Sequence, residues 1–319
     1  MKLTIWIPVY NWWDLLIDTI KSCKKIWLDD LDYEILVIDN CSTDNSIDKV
    51  YSLQKEIPSL RLVENTKNYW RIWNWNRVLE EAQWDYILFL MVWDLLEKLN
   101  YKELFLWFEK DTCYVFSFYQ WKKDILNTHW AFKLNEKIPL ENIRKLSLQT
   151  FGNNFWLPPL QSHFFRKDIL IKNNIKFDKE IPFLADLKFL NEYVSYFKNI
   201  KFLDIANIIW WTGLWKFTFK SQLFMFRDFL SYYPWAFNKY LKRDINMFFF
   251  KSYLTLHVFF IYINNFRIWN KGFTFWEMLW FIKKDLWSIF YILVFIFEPF
   301  YIVYMFINFK TNFKYVIKF

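Results

Sequence analysis

Four short apolar runs, each separated from the next by a stretch of helical periodicity, restrict residues 1–100 to strand and helix units in strict alternation. The first run, KLTIWIPV from Lys2 to Val9, is too short for a signal peptide and lacks a small-residue cleavage site, so it reads as a buried strand. Asp14, Leu15, Leu16, Thr19, Ile20 and Cys23 then recur near every 3.6 residues, which predicts a helix with Asp14 as its cap. The second run, YEILVIDN from Tyr33 to Asn40, is continuous in Ile, Leu and Val, as suits a parallel strand covered on both faces. A helix through Ile47 and Val50 should follow, capped by Ser42 or Thr43. SLRLVE (Ser59 to Glu64) reads as a third strand, Trp73 to Gln83 as a helix and DYILFLMV (Asp85 to Val92) as a fourth strand. The expected fold class is therefore α/β, an open and mostly parallel sheet with helices on both faces. In such a sheet ligands bind beyond the C-terminal strand ends, where Asn11, Asp39, Asp44, Asn65, Asn68 and Asp94 fall.

Composition narrows the class further. In 319 residues, 55% are hydrophobic and 24% aromatic, which rules out a disordered chain. Glycine is the anomaly: ordinary usage would supply roughly 22, yet there are 3, against 21 tryptophans. Backbone positions that need φ > 0 have almost no glycine to occupy them. The net charge of +8 suits a phosphate-bearing substrate, an anionic membrane surface or a nucleic acid. From Ile245 to Phe319 there are eight Lys/Arg and three Asp/Glu in the most aromatic part of the chain, which favours a membrane surface. A nucleic-acid partner is not expected, because strands covered on both faces offer no basic aromatic face. Cys23, Cys41 and Cys113 form no CxxC pair, so a disulfide framework or thiolate zinc site is not indicated and a reducing compartment is.

Between Tyr101 and Lys220 the periodicity is mixed: Cys113 to Tyr119 and Ile200 to Ile205 read as strands, Ile181 to Phe197 as a helix and Asn153 to Gln161 as a loop. After Ser221 the pattern is helical and aromatic on almost every side. Leu286 to Ile307 carries one charge, Glu298, followed by Pro299. Its length would span a bilayer, but the acid and proline suit a monotopic or hairpin-like insertion better, and burial against the rest of the protein is the alternative. The expected division is a domain over 1–220, with a nucleotide-binding half (1–100) and an acceptor-side half (101–220), and a membrane-associated helical region over 221–319.

Several chemistries are excluded. His129, His163 and His257 are scattered and none belongs to HExxH. Gly152, Gly213 and Gly272 are isolated, so no glycine-rich phosphate loop exists. Carboxylates at strand ends remain. A sugar nucleotide offers a base edge, a ribose diol and a diphosphate, and Asp39 is placed to accept from base or ribose and Asp94 to hold a cation. Alternatively, Asp39 is a turn residue and Asp44 a helix-start carboxylate.

Val9-Tyr10-Asn11 after the first strand, Val37-Ile38-Asp39-Asn40-Cys41-Ser42-Thr43-Asp44 after the second, and Asn65, Asn68, Asn74 and Asn76 ahead of Asp85-Tyr86-Ile87 resemble the family 2 glycosyltransferases of the GT-A fold over residues 1–215. The resemblance implies inverting transfer from a nucleotide-sugar donor, UDP-linked as the family implies, to a glycan or lipid-linked acceptor in surface polysaccharide or glycolipid synthesis. It implies that Pro8, Val9 and Tyr10 line the base pocket, that Asp39 contacts uracil or ribose, that Asp94 is the surviving acid of the Mg²⁺ or Mn²⁺ motif, and that Asp186 is the general base, with helix capping as its alternative; Asn11 and Asp44, at the strand ends, are further donor-binding candidates. Arg71 is the basic group expected near the diphosphate, with Arg166 and Lys167 as further ones. In the run Met91-Val92-Trp93-Asp94, Met91 and Trp93 stand where the family commonly has acids, so cation affinity should be weak. Trp12, Trp13, Trp70, Trp84 and Trp93 stand where the family commonly has glycine or another small residue. A catalytically impaired relative that binds nucleotide or a partner protein is the alternative. Trp156 is a sugar platform or a packing residue. The cytoplasmic face of the cell membrane, with peripheral or monotopic attachment, is the expected location.

Overall fold

The computed structural model describes residues 2–24, 32–97, 99–120, 126–127, 135–142 and 159–210, with short pieces of 227–239. By contacts the chain divides into one unit comprising Met1–Ile143 with Gly152–Leu214 and a second comprising Arg144–Phe151 with Trp215–Phe319. Trp156, Leu286 to Ile307 and most of the 221–319 region lie outside the described residues. Everything below concerns the first unit.

Its first sheet holds β1 (Lys2–Val9), β2 (Asp32–Asp39), β3 (Leu60–Glu64) and β4 (Tyr86–Phe89) in parallel, in the order β3-β2-β1-β4, with β9 (Phe164–Arg166) antiparallel beyond β4. The strands are the apolar runs of the sequence, and Leu3, Ile5, Ile7, Ile35, Val37 and Leu88 join one buried core. Burying such runs contributes roughly 25 cal/mol per Å² of apolar surface removed from water. Helices α1 (Trp13–Cys23) and α2 (Ser46–Gln54) follow β1 and β2. Leu16 and Ile20 of α1, and Val50 and Leu53 of α2, enter the same core. Asp14 is a first-turn residue of α1 and not its cap, and α2 begins after Asn45, later than Ser42 or Thr43.

The stretch expected as one helix over Trp73 to Gln83 is two: α3 (Trp70–Asn76) and α4 (Val78–Glu81), meeting at Arg77. A second sheet is built on β6 (Thr112–Gln120) and β10 (Asn199–Trp210), paired in parallel. The two-residue strands β5 (Leu95–Leu96) and β7 (Leu126–Asn127) and the three-residue β8 (Lys137–Pro139) complete it in antiparallel pairings. α5 (Tyr101–Leu106), α6 (Lys167–Lys172) and α7 (Ala185–Val194) are further helices of this unit, α7 being shorter at both ends than the expected Ile181 to Phe197.

Cys23 and Cys113 are buried and Cys41 half-buried, all as free thiols. Burial pushes the Cys23 thiol up to about 12 and raises that of Cys113 further, so neither is a nucleophile at neutral pH.

Candidate functional site

Register aligns the carboxyl ends of the first three strands, since Val9 pairs with Asp39 and Asp39 with Glu64. The backbone ladder continues one step past each strand, with Asn40 N–H donating to Val9 O at 2.9 Å and Asn65 N–H to Asp39 O at 2.9 Å. The loops leaving this edge are joined by side chains. Asn11, at φ 54, accepts at Oδ1 from the Thr43 N–H at 2.8 Å, and its own N–H donates to Ser42 Oγ at 2.9 Å. Val9, Tyr10 and Asn11 are thus brought against the Asp39–Thr43 loop; Pro8 lies one register step back, buried and paired with Ile38, whereas Tyr10 is 41% exposed.

Asp39 is sealed from solvent and accepts from Ser42 with both oxygens, from the hydroxyl at 2.5 Å and the N–H at 2.9 Å. Desolvation raises its pKa from the ordinary carboxylate value against the pull of those bonds. Its carboxylate therefore shapes the turn, whatever further contact it makes. Asp44 accepts from the Ser46 N–H at 3.0 Å and so takes part in starting α2.

Four asparagines, three of them buried, tie the ends of β2 and β3 to α3. Asn65 donates to Asn40 at 3.0 Å and to Asn74 at 2.8 Å, Asn40 donates to Asn68 at 2.8 Å, and Asn74 donates to Ile38 O at 3.2 Å. Asn40 Oδ1 also accepts from the Tyr69 N–H and Asn68 Oδ1 from the Trp70 N–H. The network fixes the turn in which Trp70, at φ 68, opens α3. Asn65 and Asn68 are among the polar strand-end groups that the sequence singles out, but nothing in its spacing shows that they are joined through Asn40 or that Asn65 also bonds to Asn74.

Arg71, next along α3, donates from Nη2 to Pro182 O and lies over the Trp75 and Phe183 rings, 5.0 and 6.0 Å from their centroids. Asn76 clamps the same segment in both directions, donating to Phe177 O and accepting from Phe177 N–H, each at 2.8 Å. α3 thereby holds the 177–186 segment and brings Asp186, in the first turn of α7, within reach of the Arg71 charge. The Asp186 side chain keeps an exposed edge, yet the protein packed around it raises its pKa by desolvation, with the Leu187 N–H and Arg71 working in the other direction. An exposed carboxylate with a raised pKa is suited to take a proton.

A further contact steadies this segment: Lys188 of α7 meets Asp178 at 2.6 Å, both side chains mostly buried. Desolvation acts upward on Asp178, but the bonds from Lys188 and the Glu180 N–H outweigh it and leave its pKa lowered. Stability from a lowered carboxylate is present above the unfolded value and lost as pH falls through the folded one. Lys188→Met is expected to cost about 0.5–1 kcal/mol near neutral pH, and urea melts at pH 7 and pH 3 should show that cost vanishing in acid.

Asp94 is buried completely after β4. Two residues one turn apart on α1 hold its segment, Thr19 donating from Oγ1 to Val92 O and Ser22 Oγ accepting from Leu96 N–H at 3.0 Å. Gln161 donates to Asp94 Oδ2 at 2.9 Å. Sequence reasoning missed Gln161, which lies 67 positions away with no local pattern to mark it. The described residues contain no group of three His, Cys, Asp or Glu able to enclose an ion. A single carboxylate, already engaged by an amide, would hold Mg²⁺ or Mn²⁺ only together with diphosphate oxygens and waters. The Trp93 indole beside it packs edge to face on Trp12, centroids 5.4 Å apart, so aromatic rings span from the β1 loop to the β4 loop. A groove of about 1040 Å³ runs along the flank of α3 that carries Trp73 and Asn76, and includes none of Asp39, Asp94 and Asp186.

Parallel strands ending in a polar edge, followed by a second sheet, make up the GT-A class of α/β fold. A family model described as glycosyl transferase family 2 matches residues 4–172, and the chain belongs to that family. It is similar to the poly(ribitol-phosphate) beta-glucosyltransferase of Bacillus spizizenii, with 37% identity over 68 residues, 21% of this chain and 11% of that protein. It is also similar to the uncharacterized glycosyltransferase YibD of Escherichia coli, with 25% identity over 189 residues, 55% of this chain and 52% of that one. The chain thus spans about half the length of one curated relative and about a tenth of the other. Among solved structures, Staphylococcus aureus TarS 1–349 in complex with UDP-GlcNAc superposes with a TM-score of 0.55 at 17% identity, covering 76% of this chain and 72% of that one, a likeness of fold.

Proposed function

We propose that this chain transfers a sugar, with inversion, from a UDP-linked donor to a glycan or lipid-linked acceptor in the synthesis of a surface polysaccharide or glycolipid. The observation that supports the reading is the docking of the 177–186 segment on α3, with the Arg71 charge acting on Asp186. In this scheme the acceptor hydroxyl gives its proton to Asp186 as its oxygen attacks the anomeric carbon. The bond from that carbon to the diphosphate breaks on the opposite face, and its electron pair leaves with the nucleotide. Pro8, Val9, Tyr10, Asn11, Asp39 and Asp44 form the nucleotide side of the site. The UDP-GlcNAc bound by TarS supports a UDP donor, and the polyol-phosphate polymer named for the Bacillus relative supports a surface-polymer acceptor.

Attachment to the cytoplasmic face of a membrane remains part of the proposal and rests on the basic, aromatic 245–319 stretch; none of the described helices is long and apolar enough to cross a bilayer. Incubating the full chain with a panel of UDP-sugars and membrane-derived acceptors tests the activity, with release of UDP above that of an Asp186→Asn control as the supporting result. A single engaged carboxylate at Asp94 leads to a separate expectation: Mn²⁺ titrated into the chain without nucleotide should give no saturable heat below roughly millimolar concentration.

A second reading, a nucleotide-binding relative with impaired catalysis, is favoured by one observation: the Trp12 and Trp93 rings meet where the β1 and β4 loops converge.

A further inference from the structure

Several of the described tryptophans sit where an indole gains little, and one, Trp70, where the backbone suits glycine. Trp70 has φ 68, the left-handed region that costs any residue with a Cβ, and its side chain is 81% exposed, so no burial offsets that cost. The other described non-glycine residues at positive φ are three asparagines and a cysteine, and asparagine is the residue that tolerates this region best. Trp73 and Trp107 are also exposed, at 59% and 77%. The indole N–H groups of Trp6 and Trp84 are buried without a hydrogen-bond partner, a cost indoles in settled positions avoid. Against this stands the composition, 21 tryptophans and 3 glycines, in a fold whose turns need the smallest residue. Strain at one position is an accident of sequence. Strain, useless exposure and orphaned donors on one residue type, with the complementary type missing, have a single cause.

We propose that tryptophan marks glycine positions of this protein: the codon translated here as tryptophan is decoded as glycine in the cell that makes it. UGA is the codon this requires, because translation systems differ in reading it as termination, tryptophan or glycine. The backbone assigns Trp70, and the meeting of the Trp12 and Trp93 rings and the buried N–H of Trp84 extend the assignment to those three. Removing the Trp12 and Trp93 indoles clears the space between the β1 and β4 loops. The inference rests on backbone and packing, and it stands or falls separately from the transfer reaction.

The direct experiment is tandem mass spectrometry of the protein isolated from its own cells, reading the tryptic peptide Asn68–Arg71. Glycine at position 70 supports the proposal, and tryptophan there overturns it. A second measurement uses the full recombinant chain, comparing urea unfolding of the parent with Trp70→Gly and Trp70→Ala. Trp70→Gly should raise the folding equilibrium constant roughly tenfold while Trp70→Ala, which keeps a Cβ, leaves it near the parent. Equal stability of the two variants would overturn the strain argument.

Discussion

Replacing Asp186 with asparagine is expected to lower the turnover of sugar transfer by roughly 10²–10⁴-fold, the contribution of a general base, while leaving donor affinity close to that of the parent. The variant keeps the shape and the hydrogen-bonding capacity of the side chain and removes only the site that takes the proton. Stability separates this outcome from misfolding. Desolvation raises the pKa of Asp186, so its ionisation opposes folding above the folded value and has no effect below the unfolded one. Asp186→Asn should therefore be at least as stable as the parent at pH 7, the difference shrinking to nothing as pH falls into the ordinary carboxylate range. The parent's pH–rate profile should rise with pH through the raised Asp186 value. Urea melts across pH and steady-state kinetics on the same preparations give both readings, and a variant that retains parental turnover would remove Asp186 from the mechanism.

The largest effect on stability is expected at Arg61. Glu34, buried in β2, accepts from the Thr4 hydroxyl and the Gln83 N–H, each at 2.7 Å, and from Arg61 Nε at 2.9 Å. Arg61 of β3 then reaches Glu81, meeting its carboxylate at 3.1 Å and donating to its carbonyl. The guanidinium and the carboxylate it meets thus join three strands to α4 and to Gln83 just beyond it. Arg61→Met would leave a nearly buried carboxylate without its cation, and because Arg61 itself is partly exposed the cost should be about 2–3 kcal/mol. Adding Glu34→Gln to the same chain should recover more than 1 kcal/mol of that loss, a coupling that urea midpoints of the four-member cycle would measure. Additive losses would mean that the two charges act independently.

The parallel core is legible in the sequence because β1, β2 and β4 are covered on both faces and show uninterrupted apolar runs. The break at Arg77 is not, since Ile72, Trp75, Val78 and Ala82 keep helical spacing across it. The strands β5, β7 and β8, of two or three residues, are too short for any periodicity and exist only through their partners β10 and β6. Within the site, Asn11 and Asp39 announce themselves as polar residues ending apolar runs, but local pattern carries no sign that Asp39 spends both oxygens on Ser42. Arg71 and Asp186 meet because Asn76 and Phe177, 101 positions apart, form a pair of hydrogen bonds. Contacts of that range leave no trace in spacing.

The rims of the first sheet bear on how this chain behaves while folding. One rim is β3, five residues long, with Arg61 and Glu64 placing charge along it; the other is β9, three residues long. Rims this short, each carrying charge, are poor templates for a strand from another molecule. Aggregation during synthesis should accordingly start elsewhere than at these borders, even in a chain as rich in aromatic side chains as this one.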